Sequence, residues 1–366
     1  MLKRLSAVIQ KEFIHIFRDV RSLLVILALP ILMLLLYGNM ISLDPNAMSI
    51  GFVDLDHSQS SRQLVEKFKG SGFFKIRAVA DSPAKIESML QSRAVKAVVV
   101  IPADFEKRIA RDPSIPIQLV ADASDSNSAS LITNYVGAIA LNFSLAGTSI
   151  RSPIDIRTRM LYNPDGKTMY YILPGIATII MLMISALLPC LTLVKEKETG
   201  TLEQILVTPL SSAEIVLGKI APYMFLAFLD GLLVLGSAYL IYQMPFRGSL
   251  PLLLSLCLLF VLTGLSLGLL ISSRVKSQQV AIMGALALTM MPTMILSGFM
   301  FPLESMPAFL QGISRVIPAS YFLVIIRGIL VKGIGFEHLV FPTLFLVFFT
   351  LFVLGISILS FKPRLD

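Results

Sequence analysis

Apolar residues in this chain gather into runs far longer than a core strand needs. Six of them, near 22–41, 169–194, 216–242, 250–273, 279–301 and 338–361, are almost free of charge. As helices of about 20 residues they can each cross a hydrocarbon core of about 30 Å. They are continuously apolar rather than alternating, which predicts membrane helices and not barrel strands. Residues 2–20 carry a different pattern. Leu2, Leu5, Ile9, Phe13, Ile16 and Val20 share one stripe at a helical period, with Arg4, Lys11, His15 and Arg18 opposite. This predicts a helix lying in the membrane interface, its basic face toward lipid phosphates or a partner. Simple anchoring explains the same pattern.

Residues 44–166 are polar, charged and rich in turns. SIGFVDLD, FFKIRAVA, AVKAVVVIP and IPIQLVAD read as strands, and SSRQLVEKF, PAKIESMLQSR, DFEKRIA and NSASLITNYVGAIALNFSLAG as the helices between and after them. Strands alternating with helices predict a small α/β domain with a partly parallel sheet, and its length suffices for one independent core. From 302 to 335 the chain is apolar but interrupted by Pro302, Pro307 and Pro318, with Glu304, Arg315 and Arg327 between them. Short helices dipping part-way into the membrane fit this re-entrant segment better than a seventh span.

Composition agrees with a bilayer: 55% of the 366 residues are hydrophobic and only 15% charged, against about 25% charge in soluble domains. The net charge of +8 is informative through its placement. Lys3, Arg4, Lys11, Arg18 and Arg21 precede the first run; Lys195, Lys197 and Lys219 flank the loop after the second. Arg274 and Lys276 follow the fourth, and Lys362 and Arg364 close the chain. The alternate loops hold only Arg247, Arg315, Arg327 and Lys332. The positive-inside rule then puts both termini in the cytoplasm and the 42–168 domain outside it. Nucleic-acid binding is the weak reading of this arrangement. The first run lacks a following small-residue cleavage site and reads as a retained anchor. Both cysteines, Cys190 and Cys257, fall within apolar runs, so no disulfide framework exists in the polar domain.

Catalytic motifs are missing. The GKT at 166–168 lacks the upstream glycine of a phosphate loop, Leu161 standing there instead. His15, His57 and His338 are scattered and offer no metal-ligand spacing. No GxSxG or HExxH occurs. The chain is expected not to be an enzyme and to bind no cofactor or metal itself.

One compact charged island, KEKETGTLEQILVTPLSSAEIVLGK at 195–219, separates the second and third runs. Thr201-x-x-Gln204 has the form of a capping box opening a short helix with Leu202, Ile205 and Leu206 on one face. Pro209 stops it, and Ser211-x-x-Glu214 caps the next membrane helix. An apolar patch rimmed by charge suggests a docking surface; a helix lying on lipid is the other reading.

VKEKETGTLEQILVTPLSSAEIVLGK resembles the cytoplasmic loop between spans two and three of type-2 ABC exporter permeases, the membrane subunits of transporters whose ATPase is often a separate chain. The likeness extends over the whole length. FVDLDHSQSSRQLVEKF, LVADASDSNSA, LYNP and SGFMFPLESMP are similar to a multidrug-type subgroup with a large extracytoplasmic domain. The resemblance implies an α-helical polytopic membrane protein with six transmembrane helices and a small α/β domain between spans one and two. It divides the chain into an interface helix (1–21), a first span (22–41), an extracytoplasmic domain (42–168), spans two to six (169–361) and a cytoplasmic tail (362–366). The coupling helix falls near 197–212 and the re-entrant segment near 302–335. Glu196, Glu198, Gly200, Thr201, Leu202, Glu203, Gln204 and Pro209 match the family's coupling loop. Leu202 and Leu206 would fill a groove of the ATPase, with the carboxylates pairing at its rim. The implied partners are an ABC ATPase in two copies, carrying ATP and Mg, and a second permease, identical or similar, in a bacterial plasma membrane (the inner one if there are two). The expected activity is export of a hydrophobic or amphipathic, drug-like or lipid-like compound from the cytoplasm or inner leaflet. Spans two and five would line the pathway.

Several intramembrane residues stay open to two readings. Asp230, near the middle of span three, is either held inside the bundle or exposed to the pathway. Met290, Met291, Met294 and Met300 form either an adaptable substrate surface or ordinary packing. Gly264-x-x-x-Gly268 predicts close helix packing within one subunit. The alternatives for the whole chain are an ion-gradient-driven secondary transporter and a membrane-anchored receptor. An evident repeat between halves would favour the first, but none is seen, and the second leaves the island unexplained.

Overall fold

The computed structural model describes residues 2–40, 48–109, 115–124, 126–146, 161–163, 167–201 and 212–360. The chain divides into two compact units, residues 1–42 with 168–366, and residues 43–167.

The first unit opens with α1 (Leu2–Arg18) and α2 (Val20–Met40), whose axes bend by 72° around Asp19. Val20, expected on the stripe of the interface helix, lies beyond this elbow and begins the first span. Helical hydrogen bonds run from the Asp19 amide to the His15 carbonyl and from the Leu23 amide to the Asp19 carbonyl. These two bonds flank Asp19, where the helix is interrupted.

The second unit is an α/β fold. Its elements are β1 (Met48–Asp54), α3 (Gln59–Gly70), β2 (Phe74–Ala80), α4 (Ile86–Gln91), β3 (Ala97–Ile101), α5 (Phe105–Ile109), β4 (Gln118–Ala121) and α6 (Ser126–Ala146). The sheet order is β2-β1-β3-β4. The first three strands are parallel and β4 pairs antiparallel to β3. Both faces are covered. Ile50, Phe52, Val99 and Ile101 pack with Leu64 and Phe68 of α3 and Ile132 of α6, while Val53, Val98 and Val100 meet Met89 and Leu90 of α4 on the other side. Burial on both faces explains why β3 reads as an unbroken AVVVI rather than an alternating strand.

The first unit resumes with α7 (Met169–Glu198), α8 (Ser212–Tyr242), α9 (Leu250–Arg274), α10 (Gln278–Leu296), α11 (Ala308–Ser314), α12 (Pro318–Arg327) and α13 (Val340–Ser360). Among the described residues α7, α8, α9, α10 and α13 are each long and apolar enough to cross a membrane, whereas α2, expected as the first span, qualifies only together with α1 as one arm of a bent pair. The 302–335 segment is indeed broken: α11 and α12 meet at 80°. Helix α7 sits at the centre. Helix α9 reaches it through two glycines, for a Cβ on Gly264 would lie 2.5 Å from the Ser185 Cβ and one on Gly268 2.1 Å from the Ala186 carbonyl oxygen. That close approach within one chain is what the glycine spacing predicts. Helix α10 turns Ala281, Ala285, Thr289 and Thr293 inward, the first two packing on Cys190 and Val194 of α7.

Candidate functional site

Lys195 to Glu198, expected in the island, form the last turn of α7 instead, so the island begins at the end of a rigid span. One residue of that turn, Glu196, enters a closed ring of four charges drawn from three helices. Lys11 Nζ lies 2.9 Å from Glu12 Oε1 and 2.9 Å from Glu196 Oε1. Lys219 Nζ lies 2.8 Å from Glu12 Oε1 and 2.7 Å from Glu196 Oε2. Each cation therefore sits between two carboxylates, and the ring carries no net charge. The Tyr223 hydroxyl, one turn beyond Lys219 on α8, donates to Glu12 Oε2 at 3.1 Å.

Burial makes this ring consequential. Glu12 is 0% exposed, Lys219 1% and Glu196 5%, whereas Lys11 keeps about half its side chain in the open. Buried charges are tolerated only when paired and hydrogen-bonded. Glu12 reaches its partners because it shares a helical face with Val8 and Ile16, both half-buried. Burial alone would raise its pKa, but the ammonium of Lys219, and then that of Lys11, outweigh it and hold the carboxyl below its ordinary range. Burial would likewise lower Lys11, yet its hydrogen bonds to Glu196 and Glu12 carry it above its ordinary range.

The neighbouring island residues fasten two further helices. Lys197 Nζ donates to the Ser272 carbonyl and, at 3.5 Å, to that of Val275, answering unsatisfied carbonyls at the end of α9. Glu198 Oε1 accepts from the Gln278 amide at 2.8 Å and Oε2 from the Gln278 side chain, a carboxylate at the amino end of α10. Gly200 has φ +72° and follows the last residues of α7, so it supplies the left-handed turn that ends the span. The Thr201 hydroxyl donates back to the Glu196 carbonyl at 3.3 Å. Through Glu196, Lys197 and Glu198 the end of α7 is tied to the middle of α1, to α8 two turns in, and to the facing ends of α9 and α10.

The family resemblance implies that Glu196 and Glu198 pair at the rim of an ATPase groove. Glu196 is instead buried against Lys11 and Lys219, and Glu198 is engaged with Gln278. Leu202, Glu203, Gln204, Leu206 and Pro209 lie outside the described residues. Asp230 is inside the bundle, 1% exposed on the face of α8 that carries Leu226, Ala227 and Val234, and neither of its oxygens has a hydrogen-bond partner among the described residues. Met290 and Met294 are half-buried, while Met291 is exposed on the outer face of α10. Glu12 was not singled out from sequence. Its signal was that it is the sole acidic residue of an otherwise basic helix.

A family model for the ABC-2 family transporter protein matches residues 21–359. The chain is 33% identical over 370 aligned positions to the probable multidrug ABC transporter permease YbhS of Escherichia coli K12, covering 100% of this chain and 98% of that one. It is 29% identical over 340 positions to the probable multidrug ABC transporter permease YbhR of the same organism, covering 92% of each. The inner membrane transport permease YhhJ of E. coli K12 is 26% identical over 334 positions, covering 87% of this chain and 86% of its own length.

Proposed function

Because the chain belongs to the ABC-2 transporter family, we propose that it is the permease subunit of an ATP-driven exporter. Its cargo is a hydrophobic or amphipathic compound, taken from the cytoplasm or the inner leaflet. The family implies an ABC ATPase as partner. On this reading the ATPase docks on the island in two copies, each beneath one of two permeases, and carries the ATP and Mg. Both termini and the island face the cytoplasm, and the 43–167 unit lies outside.

The observation that supports this reading most is the convergence at the foot of the island. The ion ring joins α1, α7 and α8, and Lys197 and Glu198 add the ends of α9 and α10. A segment held there can pass a displacement to five helices at once, which is what coupling nucleotide-driven closure to reorientation of the spans requires. Leu202 and Leu206 are the apolar anchors for the ATPase groove. Truncating an interface anchor costs more than about 1–2 kcal/mol, so Leu202→Ala with Leu206→Ala should weaken ATPase capture at least tenfold and abolish ATP-dependent export in vesicles. Normal capture and normal export by a variant present in the membrane at wild-type level would remove the island from the mechanism.

A further inference from the structure

At the elbow between α1 and α2 a cleft of about 350 Å³ runs alongside α7, within the roughly 300–1,000 Å³ range of small-molecule sites. Its two ends differ in chemistry. Toward the ion ring it is lined by Lys195, His15, Thr192, Gln278 and Asp19. Away from the ring the walls are aliphatic, with Ile26 and Leu29 of the first span facing Leu187 and Leu191 of α7. Leu29 and Val25, both lining it, are exposed, so the mouth opens on the flank of the first span that would meet lipid. The floor is Tyr223, the same residue whose hydroxyl holds Glu12 in the ion ring.

The charge at the polar end selects the occupant. Asp19 has its own interaction within the chain. The Lys195 ammonium and the His15 ring have no ion pair or hydrogen bond among the described residues. The Gln278 side chain donates to Glu198 and the Thr192 hydroxyl to the Leu188 carbonyl, so the open valences at this end are the two nitrogen donors of Lys195 and His15, which suit a phosphate rather than a cation. The aliphatic length beyond them excludes a free phosphate ion as the natural occupant, because burying those walls requires a hydrocarbon chain. We propose that this cleft seats one anionic, phosphate-headed lipid of the adjoining leaflet, its head at Lys195 and its chain between the first span and α7. This deepens the export reading and rests on it for orientation: the seat lies on the leaflet from which cargo would be taken, and the occupant leans on the tyrosine that closes the coupling ring.

The chain contains no tryptophan, so a single introduced indole reports on the cleft. Leu191→Trp would be reconstituted in phosphatidylcholine vesicles containing a small fraction of brominated phosphatidylglycerol or of brominated diacylglycerol, which lacks the phosphate. Phe348→Trp on the exposed face of α13 serves as the reference. One basic side chain near an anionic lipid corresponds to about a fivefold preference. Quenching of Leu191→Trp should therefore favour phosphatidylglycerol about fivefold over the reference, and Lys195→Gln should abolish that preference. If Leu191→Trp fails to assemble, Leu187→Trp gives the same comparison. Equal headgroup preference at the cleft and at residue 348, or a preference untouched by Lys195→Gln, overturns the proposal. The measurement needs no ATPase, so loss of the lipid seat leaves the coupling reading standing. Loss of ATPase capture in the Leu202, Leu206 variant likewise leaves the lipid result intact.

Discussion

Replacing Lys219 with methionine is the sharpest perturbation of the ion ring. The side chain is 1% exposed and answers two carboxylates, Glu12 at 2.8 Å and Glu196 at 2.7 Å. Methionine fills similar volume without charge, leaving two buried carboxylates to share Lys11 alone and the cluster with a net negative charge. Breaking a buried pair by removing one partner costs about 3–5 kcal/mol, chiefly because the orphaned charge stays out of water. Lys11→Met should act differently. Half of that side chain is open, so its loss belongs with surface pairs, about 0–1 kcal/mol. Adding Glu12→Gln to Lys219→Met removes the surplus charge and should recover a large part of the loss. The observable is attachment of α1. Both native thiols are buried, so Ile16→Cys, on the face of α1 packed against the bundle, provides the only readily labelled site. A loss of 3 kcal/mol raises the detached fraction about a hundredfold, and labelling should accelerate in proportion when opening is fast. Equal effects of Lys219→Met and Lys11→Met, both below about 1 kcal/mol, would mean that the ring does not hold α1, and the convergence at the island would lose its first member.

The same attachment has a defined pH window. The Glu12 pKa is lowered in the folded state, so its contribution is complete above the ordinary value of 4.5 and is lost as pH falls through the lowered value. The Lys11 pKa is raised, so its contribution is complete below 10.5 and is lost only as pH rises beyond that. Labelling of Ile16→Cys should accordingly be flat between these limits, after correction for thiol ionisation, and rise outside them.

Two further outcomes are expected. Gly200→Ala should lower thermal stability by about 1–2 kcal/mol, since the position has φ +72° and open space around it, making the cost conformational rather than steric; Gly200→Asn should retain more stability than Ala, and a reversed order in melting experiments would refute the left-handed cap. Asp230→Val should raise the melting temperature of the purified chain, because it removes a buried carboxyl without a partner among the described residues at a site worth about 1–3 kcal/mol; a lowered melting temperature would show that Asp230 has a partner.

The architecture was largely legible because its signals are periodic. Length and apolarity marked the spans, alternation of strand and helix marked the second unit, and Gly264 with Gly268 marked the seat of α9 on α7. The ion ring was not legible. Glu12 and Glu196 are 184 positions apart and reach each other only after α1 folds back across the elbow. Glu12 also occupies the edge of an amphipathic pattern, where a carboxylate normally faces water. Lys219 shows its sign in the sequence but not its depth: two turns into α8 it looks like one more interfacial lysine, yet it is as enclosed as Asp230 farther along the same helix. The island invited a third misreading. Its first four residues have the composition of a loop, but they prolong α7, and their side chains turn back to cap α9 and α10.

The far end of the bundle gives the ring its mechanical meaning. There Arg327, at the end of α12, donates to the carbonyls of Gly298 at 3.2 Å and Tyr171 at 3.1 Å, and its guanidinium lies 3.8 Å from the centre of the Tyr171 ring. The Tyr171 hydroxyl also donates to the Gly298 carbonyl at 3.1 Å. Phe299 packs against Gly175, where a Cβ would fall 1.9 Å from its ring. Thus α7 and the segment leaving α10 are clamped at this end by Arg327, and at the other by Glu198 on Gln278. Small residues of α10 fill the seam between the clamps. Two helices joined at both ends cannot slide past one another without breaking several charge-assisted hydrogen bonds together. On the proposed reading, a push at the island would therefore rotate α7 and α10 as one body and not part them. Helix α1 joins this body through the ion ring, so the bend left to it is the 72° elbow at Asp19, where the lipid cleft also lies.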